Sequence, residues 1–135
     1  MTVIHPDNVI YYTSTDGNIV KPYNETVFGV NLITNEYSDG LGRMIFDGPV
    51  KTIGPTAFYL CKTLNTIVVP KSVKQIGKCA FGRCTNLVDV YVKAVNPPSV
   101  TFDSAMDLNI YVPRGSVELY KEKWSDKGNI IAYDF

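Results

Sequence analysis

The chain has 135 residues, 45% of them hydrophobic and 19% charged, and its 13 basic and 13 acidic side chains give a formal net charge of zero. That length allows one domain with its own core, and the absence of a basic stripe or an acidic tail removes the electrostatic source of non-specific nucleic-acid binding. The apolar runs are too short to span a bilayer, and residues 1–20 lack the basic start and apolar core of a signal peptide.

Residues 8–23 read as a β-hairpin. The β-branched and aromatic run Asn8-Val9-Ile10-Tyr11-Tyr12-Thr13-Ser14 leads to Asp16-Gly17, and Ile19-Val20-Lys21-Pro22-Tyr23 is the returning strand. Asp-Gly between such runs signals a tight turn, because glycine accepts the positive φ the turn demands. Pro22 has no N–H for a ladder, which places the second strand at an edge. Residues 24–30 form a short connection with Phe28 anchored in the core. Residues 31–37 are a further strand, closed by Ser38-Asp39-Gly40. Asn24-Glu25-Thr26 matches a glycosylation acceptor, a pattern short enough to arise by chance.

From Ile53 the chain says the same thing twice. Ile53-Gly54-Pro55-Thr56-Ala57-Phe58-Tyr59-Leu60-Cys61 is answered 23 residues later by Ile76-Gly77-Lys78-Cys79-Ala80-Phe81-Gly82-Arg83-Cys84, and Leu64, Ile67 and Val69 by Leu87, Val90 and Val92. One period back, Leu41, Met44, Phe46, Val50 and Ile53 are in phase with Leu64, Ile67, Val69, Val73 and Ile76. Ahead, Ile110, Val112 and Pro113 match Ile67, Val69 and Pro70, with Asp107 where a leucine is expected and Leu108 one position off. A fixed period of this size marks a stacked solenoid, in which each coil buries its apolar face against its neighbours. Leu41, Leu64 and Leu87 are then expected to line up in one interior column. In each coil L-x-x-I-x-V is a short strand ended by proline, Ser72 to Gly77 turns a corner, and Ala-Phe-x-x-Cys is a short helical or 3₁₀ segment on the convex side.

Asn96-Pro97-Pro98-Ser99 interrupts the period as a surface bend. Residues 115–124 have helical spacing, with Val117, Tyr120 and Trp124 on one face and Ser116 as N-cap. Trp124 reads as an anchor for the C-terminal segment, and residues 129–133 as a last strand.

Nothing in the sequence assembles into catalytic or metal chemistry, and no cofactor is implied. Three cysteines without CxxC spacing and a single histidine, His5, do not make a zinc site. His5 reads as a surface residue. Gly40-Leu41-Gly42 is a turn into the first coil, and Asp16, Asp39 and Asp47 each sit beside a glycine as turn residues. Cys61 and Cys84 share a repeat position, so they are either a disulfide between coils or two buried thiols acting as small hydrophobes.

Alternation along the strands gives one candidate surface. With Ile67 and Val69 inward, the open face carries Arg43 and Ile45, Thr66 and Val68, Asp89 and Tyr91, and Asn109 and Tyr111. Stacking would set Ile45-Val68-Tyr91-Tyr111 beside Arg43-Thr66-Asp89-Asn109. Such columns mark a protein or glycan contact, or they are strand neighbours that support one another at about 0.2–1 kcal/mol per pair.

The phrase Ile-Gly-x-x-Ala-Phe-x-x-Cys-x-x-Leu-x-x-Ile-x-Val-Pro-x-Ser-Val-x-x-Ile-Gly, which stands at residues 53–77, resembles the repeat of the BspA-like leucine-rich-repeat family. Tyr11-Tyr12-Thr13-Ser14-Thr15-Asp16-Gly17 and Val112-Pro113-Arg114-Gly115-Ser116-Val117-Glu118-Leu119-Tyr120 resemble the ends of its members. The resemblance implies an α/β repeat fold: a short right-handed leucine-rich-repeat solenoid of parallel short strands, with a β-hairpin N-terminal cap and a helical C-terminal cap. The expected division is a single domain, 1–135, with the N-terminal cap at 1–40, coils at 41–113 and the C-terminal cap at 114–135. The resemblance also implies secreted or surface-exposed proteins of host-associated anaerobic bacteria and some protozoa, several of them adhesins for host matrix proteins. The expected function is thus a non-enzymatic, adhesin-like binding module at the cell surface, monomeric, with a protein or glycan partner and no nucleic acid. The alternative is a structural spacer or self-assembling repeat unit.

Overall fold

The computed structural model describes residues 6–101 and 107–135; His5 lies outside them. After a 3₁₀ turn at Pro6–Asn8 come β1 (Val9–Ser14), β2 (Leu32–Ser38), β3 (Leu41–Phe46), β4 (Thr52–Ile53), β5 (Leu64–Val69) and β6 (Gln75–Ile76). They are followed by β7 (Asp89–Val92), β8 (Ser99–Val100), β9 (Asn109–Pro113), the helix α1 (Val117–Trp124) and β10 (Asn129–Tyr133). Seven strands form one sheet in the order β10-β9-β7-β5-β1-β3-β2, and β4, β6 and β8 form a second, parallel one.

The 23-residue period becomes register. Ile67 pairs with Val90 and Val90 with Ile110 in the larger sheet, while Ile53 pairs with Ile76 and Ile76 with Val100 in the smaller. Leu64, Ile67 and Val69 are buried and Thr66 and Val68 half-buried, as strand alternation requires. The core lies between the sheets and the turn segments. Within it Phe46, Phe28, Phe58 and Phe81 follow one another at ring separations of 5.1, 5.7 and 5.8 Å.

The repeated glycines have a steric cause. A methyl group on Gly77 would fall 2.6 Å from the backbone nitrogen of Pro55, and one on Gly54 would fall 2.7 Å from the carbonyl oxygen of Val27. Ile-Gly recurs because the neighbouring backbone passes directly over that position.

Three expectations are corrected. The Ala-Phe-x-x-Cys segments are successive turns, with no helical or 3₁₀ assignment. Thr56 and Leu60 in one segment and Cys79 and Arg83 in the next hold positive φ of 56–61°. Their alternate N–H groups point sideways: Thr56 donates to Lys78 (3.0 Å), Phe58 to Ala80 (2.8 Å) and Leu60 to Gly82 (2.9 Å). A helical segment would turn those donors along its own axis; here they join one repeat to the next.

The second correction concerns the hairpin. The Asp16-Gly17 turn forms, with Gly17 at φ 74° and Asp16 Oδ1 accepting from the Asn18 N–H at 3.1 Å. Residues 19–23 form no strand. The Val20 N–H donates to the Tyr12 hydroxyl (3.1 Å) and the Val20 carbonyl accepts from Asn35 Nδ2 (2.8 Å), so side chains take the bonds a ladder would have used. β1 instead pairs antiparallel with both β3 and β5.

That insertion causes the third. β3 and β5, one period apart in sequence, are separated by β1 and so stand about two strand spacings, roughly 9.6 Å, from each other. β4 and β6, the matching pair on the other side, are directly bonded. Leu64 and Leu87 are buried, but Leu41 is only partly so and does not continue their column.

At the C-terminal end α1 buries Tyr120 and Trp124. The Tyr120 hydroxyl donates to the Ala94 carbonyl (2.6 Å) and Trp124 Nε1 to the Pro98 carbonyl (3.1 Å), which fastens the 96–99 bend to the helix. Burial pushes the Tyr120 hydroxyl well above the usual tyrosine range. Ser116 makes no capping hydrogen bond, because a 3₁₀ turn at Arg114–Ser116 runs straight into α1. Leu108 is buried and Asp107 exposed, so the leucine one position off fills the interior. β10 pairs parallel with β9.

Candidate functional site

The face of the larger sheet turned away from the core carries two rows. Register aligns Thr13, Thr66, Asp89, Asn109 and Asn129 into a polar row. Its members bond to one another: the Thr13 and Thr66 hydroxyls share a hydrogen bond of 2.6 Å, Asn109 Nδ2 donates to Asp89 Oδ1 (3.2 Å) and Asn129 Nδ2 to Asn109 Oδ1 (3.3 Å). Beside it run Tyr11, Val68, Tyr91, Tyr111 and Ile131.

The aromatic row is continuous with the chain's last residues. Tyr91 and Tyr111 stack with ring centroids 4.4 Å apart and planes 13° from parallel. Tyr133 sets its edge against both, at 5.2 and 5.9 Å, and Phe135 packs on Tyr133 at 4.8 Å. Tyr133 is 41% exposed and Phe135 50%. Partial burial, and then the nearby Asp89 carboxylate, push the Tyr91 and Tyr111 hydroxyls above their ordinary range, so both remain neutral donors near neutral pH. Tyr11, Val68, Tyr91, Lys93, Tyr133 and Phe135 enclose a cleft of about 230 Å³.

Of the residues proposed from the sequence, Thr66, Val68, Asp89, Tyr91, Asn109 and Tyr111 form one contiguous surface. Arg43 and Ile45 do not join it as expected. β1 lies between, and its antiparallel register sets Arg43 opposite Tyr11, and so in the row of Val68, while Ile45 falls opposite Val9. Arg43 donates to the Ser38 hydroxyl at 3.2 Å. Sequence reasoning missed Tyr11, Thr13, Lys93, Asn129, Ile131, Tyr133 and Phe135. The signal for most of them was available: Lys93 is two residues beyond Tyr91, and 129, 131 and 133 alternate onto the face of 109 and 111.

The two buried thiols, Cys61 and Cys84, are packing groups. Cys61, Cys79 and Cys84 are all free, which decides against the disulfide. Cys84 Sγ donates to the Phe58 carbonyl (3.0 Å) and Cys61 Sγ to the Lys21 carbonyl (3.5 Å). Burial pushes Cys61 up to about 11 and Cys84 to about 12, which disfavours the reactive thiolate. Among the described residues no three His, Cys, Asp or Glu side chains converge to hold a metal ion. The chemistry available at this face is contact, through ring surfaces, hydroxyls and amides.

A family profile described as "BspA type Leucine rich repeat region" matches residues 36–111, in 6 copies. No curated protein and no solved structure matches the chain.

Proposed function

The chain belongs to the BspA-type leucine-rich-repeat family, whose match spans more than half of it, and from that premise we propose that it is a non-enzymatic binding module. It recognises a protein or glycan through the open face of the larger sheet. The family supports a repeat-based protein-binding role. The observation that carries the choice of face is the Tyr91–Tyr111 stack with Tyr133 and Phe135 on the side of the sheet away from the core. Aromatic groups with polar tips contribute large contact area at low entropic cost and are enriched in binding hot spots.

In this assignment the repeats at 41–113 are coils of a right-handed solenoid within a single domain. The cap assigned to 1–40 meets the first coil through its described residues: Gly54 donates to the Val27 carbonyl (2.9 Å) and Lys51 to that of Phe28 (3.2 Å), much as Gly77 donates to Ile53 (2.7 Å) one coil later. Residues 114–135 close the other end through Tyr120 and Trp124. The protein acts as an adhesin-like module outside the cell or at its surface, in keeping with a family that is often surface-associated. No helix among the described residues is long and apolar enough to cross a membrane.

The test is the double variant Tyr91→Ala/Tyr111→Ala against immobilised matrix proteins and glycans. Loss of at least about tenfold in affinity with a melting temperature close to wild type supports the assignment. Parallel loss of folding and binding, or unchanged binding, contradicts it.

One observation favours a second role as a self-assembling spacer. β10 ends the larger sheet with its outer edge unpaired among the described residues, and an open edge is a template for another chain. Particle size that grows with concentration in light scattering supports that role, and a strict monomer at high concentration contradicts it.

A further inference from the structure

Two clefts of the structure share one side chain, Lys93. The first is the aromatic cleft of the open face, walled by Tyr11, Tyr91, Tyr133 and Phe135. The second, about 570 Å³, is lined by Lys71, Lys74 and Lys93 with a single carboxylate, Asp7. The junction follows from the strands. Lys93 is two residues past Tyr91 and stays on its side of the sheet, and its N–H donates to the Val69 carbonyl at 3.2 Å, beside Pro70 and Lys71.

Charge in this part of the chain is one-sided. Residues 48–88 hold six basic side chains and no Asp or Glu, although the whole chain is neutral. The sequence shows no basic run because Lys71 and Lys74 lie about twenty residues from Lys93 and meet it only in the fold. Among the described residues none of Lys71, Lys74 and Lys93 forms an ion pair.

Resting on the assignment of the open face as the recognition surface, we infer that the partner is an acidic polysaccharide. One sugar ring sits in the aromatic cleft against Tyr11, Tyr91 and Phe135, and the acid groups of that sugar and the next ones along lie on Lys93, Lys71 and Lys74. Four features select this occupant. β5, β7 and β9 each have strands on both sides, so no backbone edge is left there for a peptide to extend, and recognition must run through side chains. The cleft of about 230 Å³ is below the roughly 300–1,000 Å³ of drug-sized sites and suits one ring. Ammonium groups are compact point charges that impose no planar pairing geometry, which matches acid groups spaced along a flexible chain. Asp89, next to the aromatic row, offers a carboxylate acceptor to sugar hydroxyls.

Binding is measured with polygalacturonate and heparin, against dextran, polyglutamate, oligo-dT and phosphatidylglycerol vesicles. The acidic polysaccharides are expected to bind and dextran not. Lys93→Met, and Lys71→Met with Lys74→Met, each lower affinity roughly tenfold, as does Tyr91→Ala. Lys78→Met, on the turn side, leaves it unchanged, and all the lysine variants melt with the wild type. Raising salt weakens binding, since the lysines are solvent-exposed or nearly so. The inference is overturned if polyglutamate, oligo-dT or vesicles bind as tightly as the polysaccharides, or if Lys93→Met has no effect. A protein ligand lost on Tyr91→Ala/Tyr111→Ala but untouched by the lysine variants overturns it while leaving the open-face assignment standing. Polysaccharide binding that depends on the lysines and ignores the tyrosines overturns both.

Discussion

Gly77 faces Pro55 across two successive repeats so closely that its own N–H donates to the preceding Ile53 carbonyl at 2.7 Å and any β-carbon would lie 2.6 Å from the Pro55 nitrogen. Neither backbone can yield, since both are tied into the rung-to-rung ladder. Gly77→Ala is therefore expected to destabilise by about 1–3 kcal/mol, the usual cost of forcing a methyl into a packed site. Gly115→Ala is the control, because nothing lies within 4 Å of a β-carbon there. Urea unfolding midpoints check the pair; equal midpoints would contradict the close approach.

Phe81 stacks on Phe58 with planes 3° apart, in the aromatic series that includes Phe28 and Phe46. Phe81→Ala removes that wall of the core and should cost about 3–5 kcal/mol. For a domain of this size that is a large share of total stability, so thermal unfolding should move by many degrees. A shift of only a degree or two would mean the ring is not part of the core.

The Tyr12 hydroxyl donates to Asn35 Oδ1 (2.5 Å) and accepts from the Val20 N–H (3.1 Å). Tyr12→Phe keeps the ring beneath Gly42 but orphans a buried N–H, at a cost of about 1–3 kcal/mol. Hydrogen exchange at Val20 should accelerate in the variant while exchange in β5 and β7 falls only with global stability. Unchanged exchange at Val20 would argue that a ladder, and not the tyrosine, holds that segment.

How much of this was legible in the sequence differs by element. The repeat phases showed which residues are hidden, because Ile67, Val90 and Ile110 need only strand alternation and a constant period to be placed. β10 and α1 were legible for the same local reasons. The position of β1 was not. The alternation of Ile10 and Tyr12 with Tyr11 and Thr13 says the segment is a half-buried strand, but it does not say which strands flank it. Asp16-Gly17 pointed to its immediate neighbour, whereas burial of Val20 and Phe28 pulled the chain away and left β1 to bond with β3 and β5. The Ala-Phe-x-x-Cys turns were misread because spacing of three and four is shared by helices and by turns containing left-handed residues such as Leu60 and Arg83. At the candidate site, Arg43 and Ile45 were misplaced by the β1 insertion alone, and Tyr133 was overlooked because its strand lies outside the repeat.

Stability should fall at alkaline pH, and the sign follows from the thiols. Burial raises Cys61 from 9.0 to about 11 and Cys84 from 9.0 to about 12. Above pH 9 the unfolded chain binds fewer protons than the folded one, so stability decreases as pH rises. The contribution is fully present below pH 9 and is lost progressively toward pH 11–12. Melting temperature measured between neutral pH and pH 10.5 should be flat at first and then decline, and Cys61→Ala/Cys84→Ala should make the decline shallower. An identical slope in the double variant would exclude the thiols as its source.

The claim that the tyrosine-bearing side of the larger sheet meets the partner is tested most directly by ring signals of ¹³C-tyrosine in NMR, recorded while polygalacturonate, or the panel member bound best, is added. Tyr11, Tyr91, Tyr111 and Tyr133 should shift together, while Tyr23 and Tyr59, paired edge-to-face at 5.2 Å on the turn side, stay in place. Movement of Tyr23 and Tyr59 with the other four unmoved would contradict it.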